Sequence, residues 1–196
     1  MTWRVLAVSG PPGSGKSTLC RRLAAFWGTD LVQFDDYERM TERDPAALRD
    51  WIARGAPFSE FSAPGFAEAI EAVRGPLVVE APLGRAWAAT AELFDRALWL
   101  ECPADLALAR KLGAVASDAR GDGRFADWTR TFLLQYAEFV RPLLVEQDRR
   151  VRPLCDFALD AGQSAETLST RALRRLGPPE RRATAENPRP VMTSRR

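Results

Sequence analysis

Gly10-Pro11-Pro12-Gly13-Ser14-Gly15-Lys16-Ser17 follows the apolar run Val5-Leu6-Ala7-Val8 and opens a segment in which Leu19, Leu23, Phe26 and Trp27 recur at helical spacing. A glycine, four residues and then Gly-Lys-Ser, set between a strand and a helix, is the pattern of a phosphate-binding loop. The glycines permit turns that aim consecutive backbone N–H groups inward, and the helix start adds partial positive charge. Lys16 can then reach the outer phosphates, and Ser17 is placed to ligate Mg²⁺. Together with Thr18 these eight residues form the candidate nucleotide site, with Lys16 also the catalytic cation. The competing reading is a Gly/Pro-rich turn carrying a surface lysine. A dinucleotide fingerprint does not fit, because after Gly13-Ser14-Gly15 the third glycine position holds Thr18.

Working outward, the strand over 3–9 and the helix over 16–27, stopped at Gly28, are followed by short apolar strands at 31–34, 77–80, 97–101 and 155–159. Helices are expected at 41–53, entered at Asp44-Pro45, and at 65–73, 88–94 and 104–112. The longest runs over 125–145, and the last is capped by Ser164. Strands that are apolar along their whole length and alternate with helices predict an α/β fold: a parallel five-stranded sheet covered by helices on both faces. Ligands in such sheets bind beyond the carboxyl ends of the strands, where Asp35, Glu80 and the glycine loop all fall. The polar segment 113–124 has no core of its own and is expected to form a small lid on a domain spanning 1–176. Residues 177–196, rich in Pro and Arg, are expected to be disordered.

Composition narrows the chemistry. With 196 residues, 46% hydrophobic and 28% charged, the chain can bury a core and is neither disordered throughout nor a disulfide scaffold. No apolar run approaches the ~20 residues of a spanning helix, and residues 1–10 are too short for a secretory signal, so a cytoplasmic location without a membrane partner is expected. Cys20, Cys102 and Cys155 lack metal-ligand spacing and read as reduced thiols. There is no histidine, which excludes Ser/His and Cys/His nucleophilic catalysis and leaves a carboxylate, a lysine or water as general base. The net charge of +2 comes from the tail, where five arginines face two glutamates, so no nucleic-acid partner is expected. Only two of the 28 basic residues are lysines, and Lys16 is one of them.

Two further carboxylates compete between roles. Asp35, ending the second strand, can accept the proton of a substrate hydroxyl or cap a turn, while Asp36 more naturally turns outward. Glu80 is the only charge in Leu77-Val78-Val79-Glu80-Ala81-Pro82 and is costly at the end of a buried strand unless paired or near a metal. Its readings are a Mg²⁺-water contact or a plain salt bridge. Trp51, Phe58 and Phe61 either stack on a planar acceptor or pack the core.

At these residues the sequence, over about residues 3–162, resembles the small P-loop kinases of nucleosides and related metabolites, typified by uridine kinase and nicotinamide riboside kinase. The resemblance rests on the phosphate loop, on Gln33-Phe34-Asp35-Asp36-Tyr37, and on the stretch from Phe125-Ala126-Asp127-Trp128 to Tyr136. It implies ATP and Mg²⁺ as cofactors and the hydroxyl of a small metabolite as phosphate acceptor. The family's catalytic aspartate carries over to Asp35, with Phe34 inserted so that Asp36 is one register away. Its acidic residue ending the third strand corresponds to Glu80, although Ala81 replaces the family's glycine, and its substrate-holding aspartate resembles Asp44. Family lids carry dense arginines, whereas Arg110, Lys111, Arg120 and Arg124 are spread out here with acids between them. Three readings result: a metabolite kinase, a P-loop NTPase or nucleotide-binding regulator without an acceptor, and a kinase-like scaffold with the arginine tail as a contact.

Overall fold

A computed structural model describes residues 2–118 and 124–180. Its strands are β1 (Val5–Ser9), β2 (Asp30–Gln33), β3 (Leu77–Glu80), β4 (Arg96–Glu101) and β5 (Phe157–Asp160). Its helices are α1 (Lys16–Trp27), α2 (Pro45–Ala53), α3 (Phe66–Ala72), α4 (Ala104–Asp118), α5 (Arg124–Gln135), α6 (Arg141–Arg150) and α7 (Ala165–Leu176). All strand pairs are parallel in the order β2-β3-β1-β4-β5, as the unbroken apolar strands predict. Among the described residues no helix is long and apolar enough to cross a membrane.

Alternation along each strand feeds two cores. Val5 and Ala7 of β1, with Ala97 and Trp99 of β4, face a cluster containing Phe34, Phe66 and Ile70. Leu6 and Val8, with Leu98 and Leu100, face Leu19 and Leu23 of α1 and Leu168 and Leu176 of α7. A strand buried on both faces has no polar position to spare, which is why these runs read as continuous. α1 ends where Gly28 adopts the left-handed conformation and donates its N–H to the Ala24 carbonyl.

Four expectations are corrected. Residues 88–94 form turns instead of a helix, because the buried Thr90 hydroxyl donates to the Gly84 and Trp87 carbonyls and fixes a non-helical path. Residues 113–118, expected in the lid, continue α4, where Ala114, Val115 and Ala116 support helix and Ser117 bonds back to the Gly113 carbonyl. The long helix over 125–145 is three pieces, with a π turn at Tyr136–Val140 between α5 and α6. There the Arg141 N–H reaches back to the Tyr136 carbonyl, directly before Pro142, which has no N–H and whose ring would strike the Glu138 carbonyl of a regular helix. Finally, residues 177–180 are held to the domain, since Trp3 Nε1 donates to the Gly177 carbonyl at 3.2 Å and the Glu180 N–H donates to the Trp3 carbonyl at 2.8 Å. The remainder of the expected tail lies outside the described residues.

α6 is fastened to the segment after α2 by one side chain. Arg150 Nη1 donates to the Gly55 and Ala56 carbonyls at 3.1 and 3.0 Å, and its guanidinium lies 3.6 Å from the centroid of the Phe58 ring. Charge-assisted bonds and a cation–π contact of this kind are worth about 2 kcal/mol together. Arg150→Met should therefore lower the midpoint of thermal unfolding by roughly 4–8 °C, read by circular dichroism. An unchanged midpoint would mean that apolar packing alone seats α6.

Candidate active site

The turn after β1 is shaped by what it touches. Gly13, at φ +82°, has no room for a Cβ, which would lie 2.0 Å from the Ala107 carbonyl oxygen of α4, and a Cβ on Gly10 would meet the Leu100 carbonyl oxygen at 2.9 Å. The loop thus passes against β4 and α4 at backbone distance, and Gly15 at φ +93° turns it into α1. Lys16, Ser17 and Thr18 form the first turn of α1, where backbone N–H groups have no partner within the helix. Pro11 contributes its carbonyl, which accepts from Lys16 Nζ at 3.0 Å, so Gly10 and Pro11 build the loop while Pro12 to Thr18 border the cleft. Ser14 Oγ is buried there without a hydrogen-bond partner.

Glu80 is where three elements meet. Parallel register sets it beside Val8 of β1 and Gln33 of β2, at the carboxyl ends of neighbouring strands. Its carboxylate accepts from Ser17 Oγ at 3.1 Å and from Gln33 Nε2 at 3.4 Å, and lies 3.9 Å from Lys16 Nζ. Only 3% of Glu80 and 7% of Lys16 are exposed, so neither charge is screened by bulk water. Burial pushes the Lys16 pKa below its ordinary value, against the opposing pull of Glu80 and Asp35.

The donor set suits Mg²⁺. No group of three or more His, Cys, Asp or Glu able to cage a metal occurs among the described residues. A nucleotide-bound Mg²⁺ needs only one or two protein oxygens besides phosphates and water, which Ser17 and Glu80 offer. The orphaned Ser14 hydroxyl and the N–H groups of the first turn of α1 fit a phosphate chain.

A cleft of about 890 Å³ runs across the carboxyl ends of the strands. Because β2 and β5 are the two edges and β1 lies at the centre, the phosphate loop divides it. Towards the β5 edge the walls include Arg110, Ala161, Gln163 and Ser164, and towards the β2 edge they include Phe34, Asp35, Trp51 and Phe61. Asp35 stands in a short 3-10 turn, Phe34–Asp36. Phe34 is turned into the core, so Asp35 borders the cleft and Asp36 is exposed away from it.

Other candidates fall elsewhere. Asp44 caps α2, its Oδ1 accepting from the Ala46 and Ala47 N–H groups at 2.8 and 3.4 Å, and does not border the cleft. Arg110 does border it, but donates to the Ala161 carbonyl at 2.7 Å and so braces the β5 edge. Arg120 lies outside the described residues. Arg124 opens α5, and its side chain is likewise outside them. Trp51 and Phe58 are core residues, while half-buried Phe61 and fully buried Trp51 both reach the cleft wall. Sequence reasoning missed Gln147, Gln163 and Ser164 as cleft residues. The one available signal was Gln147 on the helical face of Phe139, Val140 and Leu143.

No family model matches the chain, and no curated protein matches it in sequence. Solved structures do. Shikimate kinase from Acinetobacter baumannii, in complex with shikimate, aligns with a TM-score of 0.56 and 21% identity over 89% of this chain and 93% of its own. The likeness is one of fold. A sugar kinase from Janibacter sp. HTCC2649 aligns at 0.51 and 20% identity, covering 91% and 97% of the two chains. A gluconokinase from Sinorhizobium meliloti 1021 aligns at 0.50 and 18%, covering 90% and 93%. Within this fold, the loop, the strand-end carboxylate Glu80 and the β2-edge cleft arise from the same strand order.

Proposed function

We propose that the chain is an ATP-dependent kinase that transfers the γ-phosphate to a hydroxyl of a small metabolite. One observation carries this reading: the cleft continues past the phosphate loop to the β2 edge, with Asp35 on its wall. A nucleotide switch needs only the half that holds the nucleotide. A volume of about 890 Å³ lies in the upper part of the range for ligand sites, ~300–1,000 Å³. The similarity in fold to kinases named for shikimate and gluconate supports the same class of reaction. A nucleoside-like acceptor, as the uridine kinase resemblance implies, is one version of it.

In this reading the loop amides and Lys16 bind the phosphate chain and hold it in line with the acceptor. Mg²⁺, when bound at Ser17 and Glu80, supplies charge neutralisation on the outer phosphates. Asp35 accepts the hydroxyl proton as the acceptor oxygen forms its bond to the γ-phosphorus and the bond to the bridging oxygen breaks, leaving ADP and the phosphorylated acceptor.

The test is purified protein with Mg-ATP and a panel of nucleosides, sugars, polyol acids and neutral alcohols, read by ADP release and product mass. Acceptor-dependent ADP release is expected with at least one class. Release that no acceptor stimulates would favour the NTPase reading. Glu80→Gln keeps shape and removes charge, and should raise the Mg²⁺ concentration for half-maximal turnover by roughly tenfold or more. An unchanged Mg²⁺ response would make Glu80 only the partner of Lys16.

A further inference from the structure

Lysine is rare in this chain, and both copies face one cleft. Of the 28 basic residues only Lys16 and Lys111 are lysines, and both line the cavity at the carboxyl ends of the strands. An ammonium is a compact point charge with three donors that can be shared among the oxygens of neighbouring phosphates, whereas a guanidinium is a flat fork that matches one pair of oxygens. Lysine used so sparingly, and both times beside the phosphate loop, points to phosphate.

Helix α4 brings Lys111 there. The Ala107 carbonyl oxygen lies 2.0 Å from where a Cβ on Gly13 would stand, so α4 passes the phosphate loop at backbone distance. Arg110, Lys111 and Ala114 follow Ala107 at helical spacing on one face of α4, and all three border the cleft. Within that face the two cations part. Arg110 donates to the Ala161 carbonyl at 2.7 Å and is held to the β5 edge, whereas the charge of Lys111 is felt at the loop, where it opposes the positive charge of Lys16. Two like charges turned into one cleft are reconciled by an anion that both can reach.

The loop cation also has a buried acid beside it. Lys16 Nζ lies 3.9 Å from Glu80, so this pair adds no net charge to the site. A Mg²⁺-nucleotide still carries net negative charge on its phosphates, and Lys111 adds the positive charge that the pair does not. The residues on both sides of Lys111 belong to α4, over Ala104–Asp118, so the helix and its contact with Gly13 set where this cation stands.

We propose that Lys111 is a second phosphate-binding lysine, whose ammonium contacts the outer phosphates of the bound nucleotide from the α4 side while Lys16 contacts them from the α1 side. This rests on the nucleotide-binding part of the kinase reading above and not on the acceptor. It assigns a binding role to a residue of the α/β frame itself.

Lys111→Met and Lys111→Gln test it, each shown to be folded by circular dichroism. The non-hydrolysable ATP analogue AMP-PNP and inorganic tripolyphosphate, both with Mg²⁺, are titrated by isothermal calorimetry. Each variant should bind both ligands about tenfold more weakly than wild type, the loss of one charge-assisted contact to phosphate. A loss of no more than about threefold for both ligands would make Lys111 a solvated charge on α4 and overturn the proposal. So would a loss with AMP-PNP that tripolyphosphate does not share, which would put the side chain against the base or ribose. Failure of the kinase reading looks different: wild type binds AMP-PNP, the Lys111 variants bind it more weakly, and no acceptor is phosphorylated.

Discussion

Lys16→Met is expected to leave the fold standing and to weaken nucleotide binding by roughly 10²-fold, since a charge-assisted contact to phosphate is worth about 3 kcal/mol at most and is lost entirely. Methionine keeps most of the buried length, and Glu80 retains the Ser17 hydroxyl and the Gln33 amide as donors at 3.1 and 3.4 Å. Nucleotide titration on protein shown to be folded by circular dichroism makes the measurement. The pH dependence gives a second arm. Burial holds the Lys16 pKa below the ordinary lysine value of 10.5, so the cation that binds phosphate is lost at lower pH than a surface lysine would lose it. Wild-type affinity should therefore fall as pH rises towards 10.5, and the Lys16→Met variant should lack that fall. Equal affinity of variant and wild type at neutral pH would remove the phosphate-site argument altogether.

Asp35→Asn should spare nucleotide binding and lower acceptor-dependent turnover by roughly 10²-fold or more, the usual contribution of a positioned base. With no histidine in the chain, Asp35 and Glu38 are the described carboxylates lining the cleft beyond Glu80 towards β2, and the charge of Asp35, after that of Glu80, favours the protonated form of Lys16. Background hydrolysis, which needs no acceptor, should change far less. Asp36→Asn is the control, because the neighbouring side chain is exposed away from the cleft and its loss should leave turnover within about twofold. Full acceptor-dependent activity in Asp35→Asn would end the base assignment and direct attention to Glu38.

The phosphate loop was legible because its information is local. Gly13 and Gly15 need left-handed backbone, Lys16 begins a helix with a clear apolar stripe, and Gly28 ends it, all within one continuous stretch of chain. The same holds for the Ser164 cap, whose hydroxyl accepts from the Thr167 N–H, and for β3 over Leu77–Glu80. Residues 88–94 were misread because helical propensity is a weak prior that the buried Thr90 hydroxyl overrides. The break in the long helix was signalled by Pro142, yet a π turn was not foreseeable from one proline.

Read alone, then, the amino-acid sequence determined the parallel α/β class, the phosphate-loop pattern and the exclusion of a histidine base, since these depend on strand apolarity, glycine spacing and the absence of histidine. The tertiary structure alone decided that Glu80 meets Ser17 and Lys16, that Phe34 turns inward and leaves Asp35 rather than Asp36 at the cleft, that Asp44 is a helix cap, and that Gln147 lines the cleft. Each of these is set by strand register or by helix packing between residues far apart in the chain, and such contacts leave no fixed spacing in the sequence for a periodicity to reveal.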